Sequence, residues 1–305
     1  MGSKNKISKS LLPHVLRNRK PNQIYVEPFT GGANMIDKVD GIRIGGELNE
    51  YIVEMWQALQ NGWIPRIDYT REEYKFTREN PDIDKPLTGW MGTSCSYSGK
   101  WFGGYLTGVT TKDGERNYQI EAFNNVMKQL PNLLTVCFIP CSYDELFIPD
   151  NSIIYCDSPY KGTTGYKDKF NHDSYFQWCR EKVIEGHRVF ISEYNAPDDF
   201  VCIWSKTVNV HLSTKCNNNV EKLFVHESQL PLHQLTLMSG DGQEIDTVKH
   251  RNPLNKKLWV DVSSAQFTLN VDPLPYLGEP IWVAGSVTAF DSGRGTRLLL
   301  TTLSD

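Results

Sequence analysis

The sequence predicts an α/β protein built on a doubly wound sheet, and three observations predict it. Short apolar runs of strand length alternate with segments of helical period. Two of the runs end in turn or carboxylate residues, at Gly31-Gly32 and at Asp157-Ser158-Pro159, and in such sheets ligands bind at the carboxyl ends of the strands. The alternation is broken once, between about residues 62 and 117, and gives way after residue 226 to short runs of period two.

In chain order, the first twenty residues carry Lys4, Lys6, Lys9, Arg17, Arg19 and Lys20 with no acid among them. Ile7, Leu11, Leu12 and Val15 are spaced for the inner face of an amphipathic helix. QIYVEPF (23–29) reads as a strand running into the glycines, and GIRIGGELN as a second strand ending at Glu47 and Asn49. A helix follows, with Ile52, Met55, Trp56 and Leu59 on one face, stopped by Asn61-Gly62. Residues 62–117 mix Trp63, Trp90, Tyr97, Trp101, Phe102 and Tyr105 with glycines and bases, without sustained periodicity. Then come a helix over 118–130, strands TVCFIP and SIIYCD, a helix over 174–185 and the strand HRVFISEY. TVNVHLS and VEKLFVHES close the series as a strand pair around the polar turn Lys215–Asn219.

Composition narrows the class. Of 305 residues, 39% are apolar and 22% charged, which suffices for a sizeable core and for two or three domains. No run approaches the roughly 18 apolar residues of a membrane span, and the N-terminal apolar stretch is too short for a secretory signal. The seven cysteines are odd in number and contain no CxxC, so reduced thiols in a cytoplasmic setting are expected rather than a disulfide framework or a zinc site. A net charge of −4 means that any nucleic acid must be met by local basic patches.

The turn Thr30-Gly31-Gly32-Ala33-Asn34 lets backbone approach a ligand between strand and helix. It is neither GxGxxG nor a P-loop, and a plain tight turn would explain it equally well. Glu47, at the tip of the next strand, is placed to accept from the two hydroxyls of a ribose; a solvated carboxylate at a strand end is the plainer alternative.

Residues 1–226 resemble the DNA adenine-N6 methyltransferases of the Dam type (D12 class, alpha group), in the versions carried by phages. The resemblance rests on GSKNKI, VEPFTGGANMID, GGELNEY, GKWFGGY, IIYCDSPYKGTTGY, FISEYNAPDDF and EKLF. Each is weak alone, but they stand in the family's order over about three quarters of the chain.

The resemblance implies a Rossmann-like S-adenosylmethionine (SAM)-dependent methyltransferase sheet over 1–61 and 130–226, with a target-recognition region inserted at 62–129. It implies SAM as cofactor, double-stranded DNA as partner and no metal, in a monomer in the cytoplasm of a bacterial or phage-infected cell. Asp157, Ser158, Pro159 and Tyr160 would form the catalytic tetrapeptide. Asp157 and the Ser158 carbonyl would accept from the adenine amino group, and Tyr160 would stack on the flipped base. Lys4, Glu27, Phe29, Gly31, Gly32, Asn34, Glu47, Ser142 and Asp157 would line the cofactor site. In the insertion, Lys100, Trp101, Lys112 and Arg116 are the candidate DNA contacts; for most of the aromatics there, packing into the insertion's own core is the competing expectation.

Three departures from the family pattern stand out. Ser158 replaces the usual first proline of the tetrapeptide, the N-terminal motif lacks an aromatic residue, and Ser142 stands where relatives carry an acid. Two other functions remain open, methylation of cytosine N4 and a silent protein that binds SAM and DNA. Residues 227–305 lie beyond the usual end of the family. KLWVDVS, QFTLNV, IWVAGSVTAF and TRLLLTTLS, with a turn at Ser292–Gly295, predict a small β-rich extension; its nine acids and six bases suit an interaction or stabilising role better than a nucleic-acid groove.

Overall fold

In a computed structural model of the chain, residues 4–111, 114–160, 170–210 and 217–230 are described, along with the backbone of six strands beyond 230. The chain divides into two compact units, Met1–Asn195 with Trp204–Leu223, and Ala196–Ile203 with Phe224–Asp305. Residues 62–129 fall wholly in the first unit.

Helix α1 (Ser8–Val15) buries Leu11, Leu12 and Val15, the predicted inner face. Strands β1 (Tyr25–Glu27) and β2 (Arg43–Glu47) are joined through the glycine turn, and α2 (Glu50–Gln60) follows. Its N-cap Asn49 accepts from the Tyr51 amide, and Ile52, Val53, Met55, Trp56 and Leu59 are buried. Beyond the insertion come α5 (Tyr118–Gln129), β5 (Val136–Pro140), β6 (Ile153–Cys156), α6 (His172–Ile184), β7 (Arg188–Glu193), β8 (Phe200–Val210) and β9 (Asn217–His226).

The seven strands lie in the order β5-β2-β1-β6-β7-β9-β8. The pairs β2–β5, β1–β2, β1–β6 and β6–β7 are parallel. The chain therefore adds strands outward from β1 to one edge, returns to β6, and builds the other edge, which makes a switch point between β1 and β6. Central strands are covered on both faces: Tyr25, Val26, Ile153, Ile154, Tyr155, Cys156, Val189 and Ile191 are all at 1% exposure or less. Continuous rather than alternating apolar runs are the signature of such strands, and each buried side chain of this size contributes about 1.5–3 kcal/mol.

The region without periodicity is not structureless. It holds α3 (Arg71–Glu79), α4 (Lys85–Thr93) and the hairpin β3 (Gly108–Thr111) and β4 (Gly114–Asn117). Helix α3, REEYKFTRE, buries only Tyr74 and Thr77, so its apolar period is too thin to see. A capping box between Thr70 and Glu73 starts it. Asp84 caps α4, with Pro86 in its first turn. Helix α4 lies against α2 through Gly89, where a Cβ would stand 2.0 Å from the Tyr51 carbonyl oxygen; only glycine permits that approach.

In the second unit, β10 (His233–Ser239) pairs antiparallel with β11 (Glu244–His250) and with β13 (Phe267–Asn270). Strand β15 (Thr296–Thr302) pairs antiparallel with β12 (Lys257–Asp261) and β14 (Gly285–Asp291). Four of these strands fall on the four runs expected to be β; β10 and β11 had no expectation attached to them. The turn at Ser292–Gly295 lies outside the described residues.

Candidate active site at the carboxyl edge of the sheet

Strands β2, β1 and β6 are adjacent and parallel, so Glu47, the glycine turn and Asp157 emerge at one edge. Each emerges where a buried strand runs out and its next side chain reaches the surface layer.

Asp157 follows the fully buried Ile153–Cys156. Its Oδ1 lies 3.1 Å from Lys4 Nζ, and a quarter of its side chain is accessible. Burial pushes its carboxyl above the ordinary range; Lys4 pulls the other way, and the charge of Glu221 adds to the push. Lys4, at 6% exposure, also donates to Glu221 Oε2 at 2.9 Å. Burial alone would lower its pKa, but Asp157 and Glu221 together hold the ammonium above its usual range. The Tyr160 hydroxyl meets Lys4 Nζ and donates to Glu221 Oε2 at 3.0 Å. Tyr194 meets the Tyr160 ring edge to face, centroids 4.6 Å apart at 83°.

The rest of the tetrapeptide is held from α6. His172 Nε2 lies 3.0 Å from the Pro159 carbonyl oxygen. Ser158 is buried, and its hydroxyl faces that of Tyr175, also buried.

At the glycine turn, Gly31 has φ +48°, in the left-handed region that glycine enters without strain. Its amide donates to Glu47 Oε2 at 2.9 Å, while Glu47 Oε1 accepts from the Asn49 amide at 3.0 Å. Burial nevertheless raises the Glu47 pKa. Trp56 Nε1 donates to the Gly31 carbonyl, and Gln129 Nε2 to those of Gly32 and Ala33. The Asn34 carbonyl accepts from Lys38 Nζ. Glu47 thus does two things, fixing the turn and presenting a carboxylate with lone pairs to spare.

Glu27 sits deeper, at 3% exposure, with the Tyr25 hydroxyl donating to Oε1 at 2.8 Å. Burial pushes its carboxyl well above the usual range. Phe29 joins an aromatic cluster, stacked on Tyr143 at 5.4 Å and edge-on to Phe170 and Tyr175. Ser142 is half-buried and hydrogen-bonds to Asp144, so a carboxylate does stand in this loop, two residues beyond the expected position.

The insertion residues are placed separately. Lys100 is exposed in a loop where Ser98 (φ 57°) and Phe102 (φ 42°) both adopt left-handed backbone. Trp101 stacks on Tyr51 at 5.9 Å, with its ring against Gly92. Arg116 forms a two-pronged pair with Glu121, at 2.7 and 2.6 Å. Lys112 lies outside the described residues.

Glu221, Tyr194 and His172 were assigned no role on sequence, although EKLF and FISEY were singled out. Convergence is what a local pattern cannot carry: Lys4 and Glu221 are 217 positions apart. Among the described residues, no helix is long and apolar enough to cross a membrane, and no group of three His, Cys, Asp or Glu side chains is arranged to hold a metal.

No protein-family model matches the chain, and no curated protein matches it. Among solved structures it is similar to the crystal structure of SMU.472, "a putative methyltransferase complexed with SAH", at 9% identity and a TM-score of 0.29. The match covers 73% of this chain and 52% of that one, so this chain spans about half the length of its structural neighbour. A likeness at that score carries no weight for fold or function.

Proposed function

We propose that the chain is a SAM-dependent DNA methyltransferase acting on the N6 amino group of an adenine flipped out of duplex DNA. The observation that carries this reading is a carboxylate followed by Ser-Pro-Tyr at the end of β6, beside the glycine turn and Glu47 at the ends of β1 and β2. The sheet supports it too. Numbered along the chain, its seven strands run 3-2-1-4-5-7-6, which keeps the doubly wound order 3-2-1-4-5 and places the last strand inside the edge.

The residues present fit the cofactor. The Gly31 backbone leaves room beside it, the nearest atom to an added Cβ being Glu47 Oε2 at 4.0 Å, and Glu47 can accept from ribose hydroxyls. Bound there, SAM supplies a methyl group on a sulfonium, already activated for transfer. The protein's task is to make a poor nucleophile attack. The adenine amino lone pair is delocalised into the ring; acceptors at Asp157 and the Ser158 carbonyl, aimed at its two hydrogens, draw the nitrogen toward tetrahedral geometry. Tyr160 offers its ring to the flipped base, and positioning with electrostatics supplies the rate. Lys100, exposed in its loop, can meet phosphate or a base edge.

The test is incubation with labelled SAM and varied duplexes, followed by mapping of the modified base and its neighbours. Label on adenine N6 is expected. Label on cytosine N4 would transfer the same chemistry to another base, and absence of label from every duplex would overturn the reading.

A further inference from the structure

We propose that Glu221 is a positioning residue for this reaction, holding the Lys4 ammonium and the Tyr160 phenol so that Asp157 is left able to accept from the amino group of the base. The inference rests on the reading of Asp157 as acceptor in methyl transfer.

The geometry is unusual in its sharing. One oxygen, Glu221 Oε2, accepts from both Lys4 Nζ at 2.9 Å and the Tyr160 hydroxyl at 3.0 Å. Lys4 is almost wholly buried, and a buried ammonium must be paired. Two carboxylates stand within reach, at 2.9 and 3.1 Å. Were Glu221 absent, Lys4 would close on Asp157 alone and occupy the acceptor that the base requires. Glu221 divides that charge, and it comes from β9, beyond β7 from the strand that carries Asp157. The same oxygen fixes the Tyr160 hydroxyl, while Tyr194 closes on the ring edge to face, so the aromatic platform and the acceptor are set by one carboxylate. Among the described residues, the charged and titratable groups around Asp157 include Lys4, Glu221 from β9, Tyr160 on its own loop, Glu27 from β1, Tyr155 from β6 and Tyr194 beyond β7.

Glu221→Gln keeps an acceptor for both donors and removes the charge. With the charge gone, Asp157 ionises more easily and Lys4 pairs with it more tightly. The variant is therefore expected to show a kcat about tenfold lower, an acid limb of the kcat–pH profile moved to lower pH, and calorimetric binding of S-adenosylhomocysteine like that of the wild type. A slower enzyme whose essential carboxylate ionises sooner is not what general loosening of the fold produces. In a Lys4→Met background, the same change is expected to cost little more. Unchanged kcat and limb, a loss of cofactor binding as large as the loss of kcat, or a full additional loss in the Lys4→Met background would each overturn the proposal. Should circular dichroism show Glu221→Gln unfolded, Glu221→Asp replaces it: the charge stays, the arm shortens, and a lower kcat with an unmoved limb is expected, full wild-type kcat being the contrary result. A wild type that labels no duplex overturns the underlying function, and this inference with it, before any variant is made.

Discussion

The carboxyl edge of the sheet and the loop from Tyr97 to Gly104 carry the two halves of the proposed function and are built in opposite ways. At the edge, Lys4, the pair Asp157 and Tyr160, and Glu221 come from three distant parts of the chain and are held by one another, with exposures from 6% to 25% for the three charged side chains. The loop is local. Its tip is exposed, it is closed by short-range bonds such as Gly103 N–H to the Lys100 carbonyl, and its left-handed residues Ser98 and Phe102 each cost about 1–3 kcal/mol. Two neighbouring rings anchor it: Trp101 lies over Gly92, and Phe102 packs edge-on to Tyr74 while its amide donates to the Gly92 carbonyl. The proposed chemistry draws on residues that converge from distant segments; the proposed recognition rests on one short loop.

The sharpest way to break this division is Asp157→Ala. Glu221 still pairs Lys4, so the fold is expected to survive. Methyl incorporation is expected to fall about a thousandfold, a far larger loss than any fall in S-adenosylhomocysteine binding measured by calorimetry. Incorporation surviving intact would show that the acid is not the acceptor. Next in size is Gly92→Ala on the other side of the comparison. The new Cβ would stand 2.4 Å from the Trp101 ring, and such overpacking costs about 1–3 kcal/mol. A thermal midpoint several degrees lower and weaker DNA binding are expected, with cofactor affinity unchanged. If cofactor affinity fell in step, the loop and the edge would be one device rather than two.

What was legible beforehand follows the same division. Strands β1, β6 and β7 could be read because burial on both faces leaves unbroken apolar runs, the partly exposed β2 and edge strand β5 from shorter apolar stretches, and α2 because five of its eleven residues are buried on one face. Asp157, the glycine turn and Glu47 could be read because each ends such a run. Helix α3 could not, since it buries two residues of nine, and only the Thr70–Glu73 capping box marked it. Strand β8 begins at Phe200, well before the expected TVNVHLS, because VCIW continues the same extended run without a turn signal. The role of Glu221 was hidden for another reason. Which strand ends share an edge depends on sheet order, and β9 lies between β7 and β8 against the order of the chain.

A smaller effect tests how far the edge is tuned by burial. The Glu27 carboxyl is held well above its ordinary range by burial, so the folded protein binds that proton more tightly than the unfolded chain does. Stability from this group is fully present below the ordinary glutamate value of about 4.3 and is lost as pH rises toward the raised value. Glu27→Gln removes the titration. Asp157 and Glu47, also raised, remain in both proteins and cancel in the difference. Denaturant unfolding across this range is expected to show the wild type losing stability relative to the variant by at most about 1.4 kcal/mol per pH unit. A constant difference would mean that Glu27 ionises normally in the fold.

The smallest expected effect concerns Ser158, where the tetrapeptide departs from the family pattern. The main-chain carbonyl needed for the reaction is kept by any residue, but proline would also fix φ near −65° and restrict Asp157 before it to extended backbone, which suits a residue leaving β6. The serine hydroxyl is buried against that of Tyr175. Ser158→Pro lowers the entropy of the loop that carries the acceptor, about 1 kcal/mol. If rigidity is what the loop lacks, kcat should rise by roughly fivefold with the cofactor affinity unmoved. An equal or lower rate on adenine-containing duplexes would mean that Asp157 is already held as firmly as the reaction requires, by Lys4 on one side and by His172 on the Pro159 carbonyl on the other.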